Sequence, residues 1–454
     1  MTTLAIFASD VERDTAGAAI ASRHATVRDV DADLGLLAAL FVGDDGVVLL
    51  DASPETPGST IPRDDGRLDL QRRHLDRLGA IGLPTPHLVA VEREHSRGGV
   101  GLVDLIAAFA VDTLRPWGWS PRLAQLLTPL AERLGVDVQA RVDACRRLGD
   151  KRATVALRRR LYGRDEAGSL DEFDQLGAVV VTLDALLVRW AVAEAAGDGL
   201  FVKAPFGGAG RDAVRLLPGL GEPTPSQLGW LRKTLREQGA VVVERAMART
   251  GDLGLLRDDD GVMLPPHRAF CDSRGGFRGV AVGGDDITLP QRAALAAALT
   301  DAAAGAGYVG PCGLDLVERG DDAPWPVEIN ARTTIGHVGH RLARHQRVGS
   351  IGRLLLLSAT DLRSSGAPTF AALADRLAQA LPLDFDAGGG VGVGAVALAP
   401  PALARRTLPV WCVAKSSATL KQVLAFADEN GRIAGGKPVG SVNSNGGTDD
   451  ASMD

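Results

Sequence analysis

The stretch GLDLVERGDDAPWPVEINAR (residues 313–332) reads as two strands, GLDLVE (313–318) and PWPVEIN (324–330), joined by the turn ERGDDAP. Side chains alternate across a strand, so Glu328 and Asn330, two residues apart, share one face. If the strands pair, Asp315 reaches that face too. Two carboxylates and an amide oxygen then converge. Such hard oxygen donors suit Mg²⁺, or Mn²⁺ in its place, holding nucleotide phosphates. Arg332 continues the alternation and adds a fixed cation near the same phosphates. Spacing alone leaves a solvent-facing hairpin of ordinary polar residues equally open.

Upstream, FVKAPFGGAGRD (201–212) supplies the other half of a nucleotide site. Gly207, Gly208 and Gly210 let backbone N–H groups approach phosphate oxygens without a Cβ in the way. Lys203 lies on the strand leading in, and Arg211 follows the glycines as a candidate lid residue. No G-K-[ST] closes the loop, so it is not a Walker loop, and the glycine spacing is not the dinucleotide fingerprint. A flexible hairpin turn is the plain alternative. The chain writes its positive charge almost wholly as arginine. Its lysines are Lys151, Lys203, Lys233, Lys415, Lys421 and Lys437. Arginine does not replace lysine in a tight site, which singles out Lys151 and Lys203.

Bulk properties narrow the class. A chain of 454 residues with 45% hydrophobic residues holds two or three domains and a large core. The longest apolar runs, such as LLLLSA (354–359), are too short to span a bilayer. MTTLAIFASDVERD lacks a basic n-region, so no signal peptide is expected. Cys145, Cys271, Cys312 and Cys412 are far apart and form no CxxC pair, which fits a reducing cytoplasm. A net charge of −6 with interspersed signs argues against nucleic-acid binding. The clusters LRRRL (157–161) and QRRHLDR (71–77) read as solvated helix faces.

Residues 1–133 read as an N-terminal α/β domain, with strands at VVLLDASPE (47–55) and PHLVAVE (86–92) around a helix (68–82). A helix broken at Gly149, then ATVALRRRLYG, opens a second domain, 134–360. Its strands are GAVVVT, LFVKAP, AVRLLP and AVVVERAM, followed by the D-G hairpin LGLLRDDDGVML (253–264). HVGHRLARHQRVGSIGRLLLLS (337–358) is helical in pattern. Residues 361–434 form a small C-terminal α/β extension with a hairpin and a final helix ending at Gly431. The polar tail 435–454 is expected to be disordered. GVGVGA (390–395) fits G-x-G-x-x-A, but a glycine-rich strand explains it better than a dinucleotide loop.

Taken in order, GDK (149–151), FVKAPFGGAGR (201–211), VVVERAM (241–247), GLDL (313–316) and VEINAR (327–332) resemble the ATP-grasp superfamily over roughly residues 134–350. The resemblance implies an ATP-grasp fold of the α/β (α+β) class behind an N-terminal α/β pre-ATP-grasp domain. It implies an ADP-forming ligase in which a substrate carboxylate takes the γ-phosphoryl group of ATP and an amine then displaces phosphate. Lys151 and Lys203 match the lysines that contact the nucleotide. Gly207, Gly208 and Gly210, with Arg211 beside them, match the mobile loop. Glu244, Arg245 and Met247 match the adenine hinge. Asp315, Glu328 and Asn330 match the ligands of one or two Mg²⁺ ions, and Arg332 the arginine near the transferred group. The implied partners are small-molecule carboxylate and amine substrates, with no nucleic acid and no membrane. A homodimer stays open.

The chain departs from the family in places. Members similar to D-alanine:D-alanine ligase often carry Arg where Gly313 stands, and Arg332, or Arg268 in PPHRAF, is the substitute. Asp252 is the candidate for the ribose acid. VEINARTTIGH also looks like the biotin carboxylase signature, yet Gly336 replaces the acidic residue before His337. No biotin-attachment motif occurs, so carboxylation is set aside. Two tryptophans in RPWGWSP (115–121) read as a packed domain interface rather than a pocket lining. His337, His340 and His345 read as helix surface rather than a metal site. A small-molecule kinase and a non-catalytic nucleotide-binding protein are the competing functions on the same scaffold.

Overall fold

In the computed structural model the described residues are 1–9, 11–15, 25–51, 64–91, 107–162, 176–207, 212–247, 249–272, 276–283, 287, 289–319, 323–385 and 389–425. Four short apolar runs, β1 (Thr2–Ile6), β2 (Val47–Asp51), β3 (His87–Val91) and β4 (Val111–Pro116), form a parallel sheet in the order β3-β2-β1-β4. Parallel strands are covered on both faces, which is why these runs are nearly continuous in apolar residues. Leu4, Ile6, Val47 and Leu49 pack one way, Ala5, Val48 and Leu50 the other. Trp117 and Trp119 of RPWGWSP are buried in these two cores. Ser120 then caps the Pro121–Arg133 helix, its hydroxyl accepting from Leu123 N, with proline in the first turn.

A small antiparallel sheet follows, made of β5 (Ala178–Val180), β6 (Leu200–Lys203), β7 (Ala213–Leu216) and β8 (Val241–Arg245), in the order β5-β8-β6-β7. Leu200, Val202, Val241 and Val243 bury one face against Leu186, Trp190 and Leu231 of the helices Leu183–Ala195 and Pro225–Gln238. The period-2 alternation sends Phe201, Lys203 and Glu244 to the opposite face.

The largest sheet has nine strands: β9 (Gly251–Arg257), β10 (His267–Cys271), β11 (Phe277–Val282), β12 (Cys312–Glu318), β13 (Trp325–Asn330), β14 (Ile351–Ser358), β15 (Asp384–Phe385), β16 (Val391–Ala397) and β17 (Thr407–Ala414). Their order is β13-β12-β9-β10-β11-β14-β17-β16-β15. One sequence expectation changes here. The segment 337–358 is not one helix: the helix Ile335–Ala343 ends, Gly349 reverses the chain at φ 82°, and the leucine run becomes β14. That run lies between β11 and β17 in the sheet, where Leu354, Leu355 and Leu357 are buried, so continuous hydrophobicity does not separate strand from helix. β14 pairs with β17 from Ile351↔Ala414 to Ser358↔Thr407, across the expected boundary at 360. The C-terminal extension continues the same sheet. Leu4, Leu127, Leu148 and Leu314, from both sides of the expected 133/134 boundary, belong to one cluster. GVGVGA lies in and beside β16, a strand as expected. The final helix spans Ser417–Val423; Gly431 and the tail 435–454 lie outside the described residues.

The ends of the chain are tied by one buried carboxylate. Asp33, in the helix Ala25–Leu34, accepts from the backbone N–H groups of Arg405 (3.0 Å), Arg406 (2.8 Å) and Thr407 (2.9 Å) at the start of β17. Replacing it strips three donors of their acceptor. Asp33→Ala is therefore expected to cost about 2 kcal/mol, with Asp33→Asn costing less. Urea unfolding followed by circular dichroism checks this, and an unchanged midpoint for Asp33→Ala would contradict it.

Candidate active site

The hairpin β12–β13 forms in the expected register: Asp315 faces Glu328 and Gly313 faces Asn330. Asn330 Nδ2 donates to Asp315 Oδ2 at 2.9 Å. Leu316 then pairs with Pro326, so Val327 is an extra residue in the edge strand, a β-bulge. Asp315 is open to water by its surface yet crowded by protein on its other sides, as on the floor of a cleft. That crowding, and the adjacent Glu328 carboxylate, push its pKa up to about 7, against the smaller opposing pull of Asn330 and Arg332.

Three cations meet this hairpin from across the cleft. Lys151, at the first turn of the Lys151–Leu161 helix, places Nζ 2.9 Å from Glu328 Oε1 and 2.6 Å from the Gly207 carbonyl. Lys203 Nζ lies 2.6 Å from Glu244 Oε2 and 3.4 Å from the Val327 carbonyl. Arg158 is the residue that sequence reading missed. LRRRL is not a uniformly solvated face, because Arg158 has no exposed surface. Its Nη2 lies 2.8 Å from Glu244 Oε1, its Nη1 donates to the Pro326 carbonyl at 3.2 Å, and the guanidinium sits 5.1 Å from the Trp325 ring centroid. Burial alone would raise the Glu244 pKa, but Lys203 and Arg158 outweigh it and hold the carboxylate ionised. The signal for Arg158 was its helical spacing: Lys151, Thr154 and Arg158 are one turn apart and all buried.

Other candidates divide. Gly207 offers its carbonyl, not its N–H, to Lys151; Gly208, Gly210 and Arg211 lie outside the described residues. Arg245 turns away from the cleft to Asp198, at 2.5 Å. Met247 Sδ lies 3.9 Å from Arg319 Nη1. Arg332 acts on Asp315 electrostatically and donates to the Thr333 carbonyl at 3.2 Å. Arg268 does not join the group. It pairs in register with Leu253, which pairs with Leu316, so it points to the sheet face opposite Asp315, where it bridges Glu318 at 2.8 Å. Asp252 does share the Asp315 face, 3.2 Å from Arg249.

Solved structures of the same architecture exist. A N5-carboxyaminoimidazole synthetase from Staphylococcus aureus complexed with ADP superposes with a TM-score of 0.52 at 12% identity, covering 93% of this chain and 96% of that one. The biotin carboxylase domain of Hydrogenobacter thermophilus 2-oxoglutarate carboxylase, in complex with MgADP, gives 0.51 at 12% identity, covering 94% and 89%. Biotin carboxylase from Campylobacter jejuni gives 0.52 at 11% identity, covering 94% and 90%. The chain has the ATP-grasp fold. No family model and no curated protein matches the sequence.

Within this ATP-grasp fold the histidines are not where the sequence suggested. His337 and His340 are buried, not on the helix surface, and His345 is half-buried. His337 Nε2 meets the Arg257 carbonyl at 3.1 Å, and the His340 ring lies 5.5 Å from that of buried His267. Among the described residues no group of three or more His, Cys, Asp or Glu side chains is placed to hold a metal. Burial lowers the pKa of both His337 and His340 to about 4. The unfolded chain, with ordinary histidines near 6.5, binds these protons first as pH falls. The stability that these two histidines contribute is thus complete above about pH 6.5 and is lost toward pH 4, by up to about 1.4 kcal/mol per pH unit for each. Asp315, with its raised pKa, has the opposite sign and offsets about one histidine's worth below about pH 7. Urea midpoints measured from pH 7 to 4 report this slope. His340→Phe should flatten it, and a wild-type profile flat over that range would contradict it.

Proposed function

We propose that this chain is an ATP- and Mg²⁺-dependent ligase that activates a carboxylate as an acyl phosphate for attack by an amine, forming a C–N bond and releasing ADP and phosphate. The observation that carries the reading is the meeting of Lys151 and Lys203 with the Asp315–Glu328–Asn330 hairpin across one cleft. A divalent ion fits the residues present. Two carboxylates stand opposite each other, and Glu328 raises the cost of charging Asp315, which a hard cation relieves. Asn330 can supply an amide oxygen once its side chain turns, and phosphate oxygens complete the set. Bound Mg²⁺ would neutralise charge on the phosphates.

The chain's own groups do the positioning. Lys203 and Lys151 carry compact ammonium charges at the mouth of the small sheet, where they balance charge building on the transferred group. Arg332 adds a third fixed charge beside Asp315. In the first step the carboxylate oxygen bonds to the γ-phosphorus and the bond to the ADP oxygen breaks. In the second the amine nitrogen bonds to the acyl carbon, the C–O bond to phosphate breaks, and the nitrogen loses a proton. No side chain need be covalently altered, so orientation and charge dominate the catalysis. Gly207, whose carbonyl is held by Lys151, stands beside the site at the end of the described part of this segment.

Asp315→Ala and Glu328→Ala are each expected to reduce Mg-dependent ATP turnover roughly a hundredfold or more while far-UV circular dichroism stays unchanged. ADP release screened over carboxylic acids and amino acids, singly and in pairs, reads the reaction. Pair-dependent release supports a ligase, and release with one substrate that becomes phosphorylated points to a kinase. Full turnover in both variants would remove the metal assignment.

A further inference from the structure

Arg158 stands between Glu244 on β8 and the Pro326 carbonyl on β13. Three successive residues of β13 receive three cations: Pro326 takes Arg158, Val327 takes Lys203, and Glu328 takes Lys151. The bulge at Val327 explains how. An extra residue on the edge strand interrupts the ladder, so neighbouring carbonyls are available to side chains instead of to β12. Proline at 326 has no N–H to lose there. Arg158 uses this opening with one arm while its other arm holds Glu244 on β8. A planar guanidinium has fixed arms, so it sets the separation of the two groups it joins; an ammonium does not.

The surroundings are shaped for that arginine. Gly177, just before β5, has φ 88°, and a Cβ there would stand 2.8 Å from Arg158 Nη2 and 3.4 Å from Glu244 Cγ. Trp325 covers the guanidinium, and Tyr162 stacks on Trp325 with ring centroids 5.4 Å apart. Arg319 also lies over Trp325, at 4.8 Å, and reaches Met247. The hinge residues Glu244 and Met247 are therefore both connected to β13 through Trp325 and its two arginines.

We infer that Arg158 is a positioning residue that fixes the hinge carboxylate Glu244 relative to the metal-binding hairpin, so that nucleotide affinity and divalent-ion affinity depend on one another. This rests on the nucleotide reading above. The two ends lie on different sheets, β8 in the small one and β13 at the edge of the large one. A strut between them makes closure on the base and closure on the phosphates one event.

The test is calorimetric titration of ADP into wild type, Arg158→Lys, Glu244→Gln and the double variant, with and without Mg²⁺. Arg158→Lys keeps a charge for Glu244 but loses the second arm. It should weaken ADP binding in Mg²⁺ about tenfold and shrink the gain in affinity that Mg²⁺ confers. In the Glu244→Gln background the same change should have little further effect on ADP binding, although its effect on the melting temperature persists. A purely structural arginine would instead give additive losses. Unchanged ADP affinity in Arg158→Lys, or additivity in the double variant, overturns the positioning role. Absence of ADP binding by the wild-type chain overturns the nucleotide reading and this inference with it.

Discussion

Glu244 is a carboxylate removed from water, and the architecture around the cleft follows from satisfying it. An isolated buried charge costs several kcal/mol, so it must be paired from close by. Lys203 comes from the neighbouring strand, two residues along the same face, and Arg158 from a helix that begins with Lys151. Satisfying one carboxylate thus brings β6, β8 and the Lys151–Leu161 helix together. It also orients the cations toward β13.

The hairpin is the complementary half. Its register puts two carboxylates and an amide side by side, an arrangement that repels itself without a cation. Lys151 supplies part of that charge to Glu328. The edge position of β13 matters as much as its residues. A bulge is tolerated at a sheet edge, and this one gives Arg158 and Lys203 carbonyl acceptors that an interior strand would have used in its ladder. The large sheet holds this edge rigid. Leu314, Leu316 and Ile329 are fully packed beneath it, in the same core as Leu4 and Leu127 of the N-terminal half.

Much of the fold was legible because it depends on local pattern. Alternation in GLDL and VEIN, and Ser120 followed by Pro121 at the start of the Pro121–Arg133 helix, mark element type and ends without reference to partners. The leucine run of β14 was misread for the same reason. Its neighbours β11 and β17 are distant in sequence, and a run buried on both faces has no period to betray it. Arg268 failed differently. Its residue type suits a phosphate, but the face it occupies is set by pairing with β9, which spacing does not reveal.

By itself the sequence determined the ordered set of chemical groups: Lys151, Lys203, Glu244, Asp315, Glu328 and Asn330, each on an element whose period could be read. It also determined the face shared by Glu328 and Asn330, since two residues along a strand always point alike. Only the tertiary structure decided which charges are paired, that Arg158 is interior while Arg160 in the same arginine run is exposed, that His337 and His340 are interior, and that the chain beyond residue 360 completes the large sheet. The reason is physical. Periodicity is a property of neighbouring residues, whereas burial and ion pairing depend on groups up to hundreds of residues apart, whose meeting is set by how the sheets and helices pack.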